Sequence, residues 1–209
     1  MSSLSVATVP FDLIASPGSN WTVPTGAPPA TSQRVSVVAT ADSDIFVDPA
    51  GGVPPRVNAV TLLGSPPDGD FRLSARVGVG FRASFDAGCL LLWIDETHWA
   101  KLCLEYSPQG QAMIVSVVCR GVADDANAFV VDNNAPAWLR ISRSGRAYAF
   151  HASLDGVEWS MIRYFHLDDP DHAVTVGFEA QSPLAEGCQV TFDEIAFAPT
   201  APIDLRDGS

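Results

Sequence analysis

Basic side chains are scarce in this sequence, and their scarcity excludes several classes of partner. The 209 residues contain 12 Lys and Arg against 24 Asp and Glu, which gives a formal net charge of −12 at pH 7. This is the wrong sign for binding phosphate backbones or anionic lipids. We therefore expect neither a nucleic-acid partner nor a membrane partner.

Long apolar runs and metal-binding cysteine patterns are also missing. No stretch approaches the ~20 consecutive apolar residues of a membrane span, and the first ten residues lack a basic region followed by an apolar run. The sequence therefore predicts a soluble, cytoplasmic protein. The four cysteines form no C-x-x-C pair and no zinc-finger spacing, so we expect buried free thiols, no metal and no cofactor. The alternative is a disulfide between neighbouring strands, for example Cys103 with Cys119, which requires an oxidising compartment.

Helical patterns are absent, and the chain is instead divided by turns at short intervals. Its length favours a single domain over residues 1–209. Ten of the 16 prolines fall at or before Pro67, so residues 1–69 are predicted to be strands separated by stiff loops. From Asp70 onward, turn residues recur between segments rich in β-branched and aromatic side chains, and residues 198–209 form a tail. This pattern predicts an all-β antiparallel sandwich or barrel. The predicted strands are Phe71–Phe81, Cys89–Ile94, Trp99–Tyr106, Met113–Cys119, Trp138–Arg143, Ala147–Ala152, Trp159–Phe165, Ala173–Ala180 and Cys188–Phe197.

The predicted strand at Trp99–Tyr106 separates polar from apolar side chains. Successive side chains of a strand point to opposite faces, so Leu102 and Leu104 share one face while Lys101 and Glu105 share the other. Lys101 is the single lysine of the chain. The same alternation applies to the predicted strands at Trp138–Arg143 and Ala173–Ala180. If these strands pair in one sheet, its outer face presents a polar and aromatic platform made of Trp99, Lys101, Glu105, Trp138, Arg140 and Glu179, with Trp93 and Asp86 as further members.

This platform suits a saccharide or another small molecule, because indole rings stack on sugar rings and charged groups bond the hydroxyls. An alternative is a solvated sheet face whose ion pairs are each worth roughly 0–1 kcal/mol. A second alternative is a partly buried structural pair of Lys101 with Glu105 or Glu179. A third is an enzyme such as an isomerase, cyclase, lyase or glycosidase, with Lys101 as the acid or electrostatic group and Glu105 or Glu179 as the base.

Two further features have simpler interpretations. The acidic segment at residues 168–171 offers oxygen ligands for calcium, but it lacks the glycine and distal glutamate of a calcium loop, so we expect a solvated turn. His151 is the best placed of the four histidines to act as a base, yet we expect an ordinary polar strand histidine.

Several motifs keep an order and spacing, over residues 70–197, that resemble one family. They include Phe85-Asp86-Ala87-Gly88-Cys89-Leu90, Asp95-Glu96-Thr97-His98-Trp99-Ala100-Lys101, Trp138-Leu139-Arg140-Ile141 and Ser153-Leu154-Asp155-Gly156. The chain resembles the regulation-of-enolase-protein family, a domain of unknown function in the concanavalin A-like lectin/glucanase superfamily. Where the family usually has Asp-Phe-Trp, this sequence has Asp44-Ile45-Phe46.

The resemblance implies a jelly-roll sandwich of two antiparallel sheets, one of them curved, with a concave face that binds carbohydrate in many superfamily members. It supplies no activity, because a shared fold does not establish a shared function. Endoglucanases of the superfamily carry Glu-x-Asp-x-Glu or Glu-x-Asp-x-x-Glu along one strand, and this sequence has neither pattern. The family's name also implies a regulatory association, so a protein partner or a homodimer is a further expectation.

Overall fold

The computed structural model describes residues 2–23, 34–167 and 173–209, which excludes the acidic segment at residues 168–171. Within these ranges the chain forms strands, turns and loops. The part of the chain that the structure describes contains no helix long and apolar enough to cross a membrane.

Sixteen strands account for the regular structure of the described residues. Their bounds are β1 (Ser3–Leu4), β2 (Leu13–Ala15), β3 (Val35–Val38), β4 (Ile45–Phe46), β5 (Arg56–Val57), β6 (Val60–Gly64), β7 (Phe71–Gly80), β8 (Ala87–Asp95), β9 (His98–Tyr106), β10 (Ala112–Arg120), β11 (Val122–Val130), β12 (Ala137–Ser144), β13 (Ala147–Ser153), β14 (Ser160–Phe165), β15 (Thr175–Gln181) and β16 (Gln189–Ala198).

Two large antiparallel sheets pack face to face around one core. The eight-stranded sheet has the order β1-β2-β6-β15-β8-β9-β10-β11, and the six-stranded sheet has the order β14-β13-β12-β7-β16-β3. Strand β7 shows the physical basis, since Phe71, Leu73, Ala75 and Val77 alternate with partly exposed residues and are all buried between the sheets. This arrangement confirms the predicted jelly-roll sandwich.

The strands predicted after Asp70 are all present, with boundaries that differ by at most two residues. Strand β11 was not predicted. It is an edge strand, most of its side chains are exposed, and its middle lacks the β-branched residues that mark the other strands.

All four cysteines are buried free thiols, as expected. The alternative of a Cys103–Cys119 disulfide is wrong, because the register of β9 and β10 places Cys103 opposite Val115 and Cys119 opposite Trp99. Two cysteines four residues out of register on adjacent strands are too far apart for a disulfide.

A short hairpin made of β4 and β5 crosses the outer face of the eight-stranded sheet. At one end Ser43 forms an isolated bridge with Ser182, just after β15, and at the other end the Val47 carbonyl accepts a hydrogen bond from Ala123 of β11 (2.9 Å). We call residues 43–57 the cover. Ile45 of the cover is buried against the sheet and forms a second apolar cluster with Cys89, Leu91, Trp99, Cys103, Val115, Val117 and Cys119.

Candidate functional site

The candidate site lies on the outer face of the eight-stranded sheet, which we call the concave face. Alternation along β9 turns Leu102 and Leu104 into the core between the sheets and turns Trp99, Lys101 and Cys103 to the concave face, as predicted. The face is not the open platform that the sequence suggested. Trp99 has no exposed surface and Lys101 is 2% exposed, because the cover lies over them.

Lys101 lies at the centre of this face and contacts both the cover and β15. Its Nζ donates hydrogen bonds to Gln181 Oε1 (2.5 Å) and to Asp44 Oδ1 (3.3 Å), and lies 3.9 Å from Glu179 Oε1. The ammonium also lies 5.7 Å from the centre of the Trp99 ring. The lysine is therefore a buried cation that links the cover to the sheet.

Glu179 is fully buried, yet its carboxylate has no conventional hydrogen-bond donor. Neither Oε1 nor Oε2 has such a partner among the described residues, although the weak thiol donor of Cys89 acts to lower the pKa of the group. The register of β15 places Glu179 between Thr61 of β6 and Cys89 of β8. A buried carboxyl group without good donors is costly, and such groups in native proteins call for an explanation.

The electrostatic balance of the site follows from having one cation among several carboxyl groups. Burial acts to lower the pKa of Lys101, but the charges of Glu179 and Asp44 outweigh it and raise that pKa well above its ordinary value. Burial raises the pKa of Glu179; Lys101 opposes this effect and Asp44 adds to it. Lys101 is therefore charged at neutral pH.

Glu105, like Asp44, is a carboxyl group of the site that reaches solvent. It is partly exposed, and it makes no hydrogen bond or salt bridge to any described residue. Burial raises its pKa to about 8; Lys101 opposes the shift, while Asp125, Asp44 and Glu179 add to it. Close to neutral pH this side chain can therefore either donate or accept a proton.

A cleft of about 630 Å³ opens beside this cluster, between the cover and the first strands of the sheet. Its volume is in the range of small-molecule sites. Thr61, the cross-strand neighbour of Glu179, lies in its wall, and Ile45, the residue after Asp44, contributes from the cover. The lining is mostly apolar and includes Phe11, Ile14, Ile45, Val57, Ala59, Leu63 and Trp93. Of the predicted aromatic members, Trp93 is the one that faces this cleft.

The prediction that Trp138 and Arg140 share a face with Lys101 is wrong. Both residues lie on β12, which belongs to the six-stranded sheet, and they point away from the core on the opposite side of the sandwich. The Trp138 indole donates a hydrogen bond to Glu194 Oε2 (2.9 Å). Alternation assigns side chains to the two faces of a strand, but it does not tell which sheet the strand joins.

Asp86 is bound to the turn before β8 and to Ser182 rather than to the cluster around Lys101. Its carboxylate accepts hydrogen bonds from the backbone N–H groups of Arg82 (2.8 Å) and Ala83 (3.0 Å) and from the Ser182 hydroxyl (2.7 Å). The side chain is fully buried. Asp86 therefore closes the turn before β8, and its assignment to a ligand stays a prediction.

Sequence reasoning missed three residues that the structure adds to the site: Asp44, Thr61 and Gln181. Asp44 begins the segment that departs from the family's Asp-Phe-Trp, and that position was a signal for it. Gln181 lies two residues after Glu179 and therefore on the same face. Thr61 lies in the Pro-rich first third, where no pattern fixed the register.

Comparison with known proteins identifies the family. Residues 21–200 match the model of the family described as "Protein of unknown function (DUF1349)". The chain belongs to this family. It is 30% identical over 142 residues to Regulation of enolase protein 1 of Saccharomyces cerevisiae, an alignment that covers 68% of this chain and 70% of that protein. The family match begins well before Asp70, so it includes the cover.

Solved structures share the fold of this chain. A functionally unknown protein from Saccharomyces cerevisiae superposes with a TM-score of 0.73 at 26% identity, over 89% of this chain and 97% of that one. The GH43 protein BlXynB from Bacillus licheniformis superposes with a TM-score of 0.63 at 14% identity, over 90% of this chain and 36% of that one. A xylan β-1,4-xylosidase from Bacillus halodurans gives 0.62 at 10% identity, over 85% and 36%. The last two likenesses concern the fold alone.

Proposed function

We propose that this protein binds a small molecule, with a saccharide as the first class to test, in the cleft between the cover and the concave face. The observation that carries the proposal is Glu179, whose buried carboxylate lacks a conventional donor and lies one strand away from the cleft wall. Adjacent strands bring directly opposed Cβ atoms to about 5 Å of each other. A ligand hydroxyl that passes Thr61 would give Glu179 its missing partner.

The lining of the cleft supports the same class of ligand. A partly exposed indole, Trp93, offers an apolar ring for stacking, and the rest of the wall is largely aliphatic. The polar groups of the lining come from Asp12, Ser16, Thr61, Ser65 and Thr175, and the cluster around Lys101 lies outside it. An apolar cleft with a few convergent polar groups is typical of small-molecule sites. The family match gives no activity, and the xylosidase likeness is the reason for beginning with xylose-containing sugars.

The test is saturation-transfer NMR with xylobiose, followed by a panel of mono- and disaccharides. Trp93→Ala and Glu179→Gln should each weaken binding by about tenfold or more, the equivalent of ~1.4 kcal/mol. Glu186→Gln, which replaces an exposed carboxyl group away from the cleft, is the matched control and should bind like the wild type. No transfer to any sugar of the panel, or variants that bind like the wild type, would overturn the proposal.

A second candidate function is acid–base catalysis on the same concave face, outside the lining of the cleft, and Glu105 is the observation that favours it. A partly exposed carboxyl group whose pKa is raised to about 8, near a charged lysine, has the properties of a general acid or base. Deuterium incorporation into small ketones and hydroxy acids in D₂O would detect proton abstraction, and p-nitrophenyl xyloside would detect glycoside hydrolysis. Loss of either activity in Glu105→Gln would support catalysis, and the absence of both activities in the wild type would contradict it.

The remaining predictions concern partners and location. A regulatory protein partner, a homodimer and a cytoplasmic location stay predictions from the sequence and its resemblance. The relative's name, Regulation of enolase protein 1, refers to a regulatory role of that protein, and this bears on the prediction of a protein partner.

A further inference from the structure

A second group of buried polar side chains lies on the outer face of the six-stranded sheet. Arg140 is 5% exposed, and Ser142 and His151 have no exposed surface. Arg140 and His151 are directly opposed on β12 and β13, and Ser142 follows two positions later on the same face. The two sheets lie between this group and the concave face, so it is independent of the cleft.

Each of these three side chains has an unsatisfied polar atom. Arg140 Nε, Ser142 Oγ and His151 Nδ1 are buried without a hydrogen-bond partner among the described residues. Within the same residues Arg140 forms no salt bridge. Burial and the nearby positive charge of Arg72 lower the pKa of Arg140 to about 10. A buried cation without an anion is unusual, and it is more so in a protein with a net charge of −12.

Residues 203–209, which we call the strap, cover this group and satisfy it only in part. The Gly208 carbonyl accepts a hydrogen bond from Arg140 Nη2 (2.6 Å), and the Leu205 carbonyl pairs with His151 Nε2 (2.8 Å). The carboxylates of the strap are turned to its own backbone, because Asp204 accepts from the Arg206 N–H and Asp207 from the Ser209 N–H. Two neutral carbonyl groups therefore lie where a negative charge would be more stable.

The unsatisfied atoms specify the chemistry of the missing group. Arg140 Nε is a donor, and the Ser142 hydroxyl can donate or accept. Because a carbonyl oxygen only accepts, His151 Nε2 is the donor to Leu205, and Nδ1 of the neutral ring is an acceptor. A hydrogen phosphate group offers both acceptor oxygens and an O–H donor, whereas a carboxylate offers acceptors alone. We propose that Arg140, Ser142 and His151 form a binding site for a phosphate group, which the strap covers in the unliganded protein.

Gly208 provides a variant that displaces the strap and leaves Arg140, Ser142 and His151 unsubstituted. Its φ is +76°, and a Cβ added there would collide with Arg140 Nη2 and meet Trp159 Cβ at 2.8 Å. Gly208→Ala should therefore lift the strap. Gly145→Ala is the matched control, because Gly145 also has a positive φ (+58°), lies in the turn between β12 and β13, and has nothing within 4 Å of its added Cβ.

Calorimetric titration with inorganic phosphate is the test. Gly208→Ala should bind phosphate about tenfold or more tightly than the wild type and Gly145→Ala, since the strap no longer competes. Adding Arg140→Gln to Gly208→Ala should remove this binding. Glycerol 3-phosphate as a second titrant distinguishes a phosphorylated metabolite, which would bind more tightly than phosphate, from free phosphate, which would bind at least as well. Equal affinity of Gly208→Ala and the wild type, binding that survives Arg140→Gln, or acetate binding as tightly as phosphate would each overturn the proposal.

A measurement on the wild type makes the proposal independent of how the variant folds. Phosphate should shift the Arg140 Nε–H NMR resonance and accelerate hydrogen exchange at the Gly208 amide, which is bonded to the Asp204 carbonyl in the closed strap (2.8 Å). Potassium chloride at matched ionic strength should do neither. If phosphate leaves both signals unchanged, or if chloride changes them equally, the site does not recognise phosphate.

Discussion

Lys101 sits at the centre of a buried charge cluster whose parts depend on one another. Its ammonium is hydrogen-bonded to Asp44 and Gln181 and lies near Glu179. The neighbouring side chains on this face form an apolar cluster. Removing one partner from a buried ion pair leaves the other charge uncompensated, whereas replacing both with neutral groups restores balance. The cluster is thus best tested by single and double substitutions.

Lys101→Met should lower the free energy of unfolding by about 3–5 kcal/mol, because it leaves the fully buried Glu179 and the partly buried Asp44 without their cation. Glu179→Gln alone should change stability less, because Lys101 keeps its hydrogen bonds to Asp44 and Gln181. The double variant should recover a large part of the loss. Urea unfolding of the three variants checks this, and a double variant that is as unstable as the sum of the single ones would show that the charges do not interact.

Glu105 makes stability depend on pH. Its pKa is about 8 in the folded protein against an ordinary 4.5, so the folded state keeps a proton that the unfolded state releases between these values. Stability therefore decreases as the pH rises through this window, and the raised pKa of Glu179 acts in the same direction. Between about pH 5 and pH 8.5, the fall in Tm should be smaller in Glu105→Gln than in the wild type.

The control for this prediction is Glu186→Gln, an exposed carboxyl group outside the cluster, which should retain the full pH dependence. Scanning calorimetry at fixed ionic strength measures all three proteins. Parallel curves for the wild type and Glu105→Gln would mean that the carboxyl group of Glu105 titrates normally.

For the site, the sequence could predict on which face of its strand each side chain lies. Alternation predicted that Lys101 and Glu105 lie on the face of their strand that Leu102 does not share. It predicted the same for Glu179 and Phe178, and the structure confirms both predictions. It could not anticipate Asp44, because this residue reaches Lys101 from an irregular segment 57 positions earlier in the chain. Contacts of that kind depend on tertiary packing, which leaves no periodic signal.

At the scale of elements, the long strands follow from alternation and turns, while the short ones do not. The cover contributes two-residue strands, too short for a period to be recognised, and yet it decides that the concave face is buried. The assignment of β12 to the other sheet likewise has no local signal, since pairing partners are chosen by the whole fold. This is why Trp138 and Arg140 were grouped with the wrong face.

The close approach of the two sheets at β8 gives an element-level prediction. A Cβ added to Gly88 would meet Val190 Cγ1 at 2.6 Å and Val77 Cγ1 at 2.8 Å, both on strands of the other sheet. Gly88→Ala should therefore cost about 1–3 kcal/mol of stability through overpacking. The matched control is Gly80→Ala on β7, where every contact of the added Cβ is 3.6 Å or longer.

Urea denaturation provides the measurement for both glycine variants. Gly88→Ala should lower the midpoint without changing the m-value, and Gly80→Ala should leave it nearly unchanged. If the two variants behave alike, the spacing between the sheets relaxes easily at β8.

At the scale of the whole molecule, the sandwich buries all four of its thiols. Their reactivity therefore reports the unfolding of the whole sandwich. Cys89 and Cys103 lie under the cover and Cys188 lies in the core between the sheets. Burial raises the pKa of Cys119 to about 11 and that of Cys188 to about 12, so little thiolate is present at neutral pH.

We expect the native protein to show no rapid reaction with Ellman's reagent and the denatured protein to show four reactive thiols. The slow native reaction should follow the unfolding rate at high reagent concentration. Titration of one or two thiols within the mixing time would indicate that the cover opens far more easily than the sandwich, and the positions could be assigned by mass spectrometry.

The strand order also has a consequence for synthesis on the ribosome. Strand β15 is inserted between β6 and β8, and β16 between β7 and β3, so the latest strands to be translated join segments made much earlier. A nascent chain that has not yet reached Thr175 therefore exposes open sheet edges on both layers. Such edges pair readily with other chains. The nascent chain is thus exposed to aggregation, or dependent on chaperones, until the last two strands leave the exit tunnel.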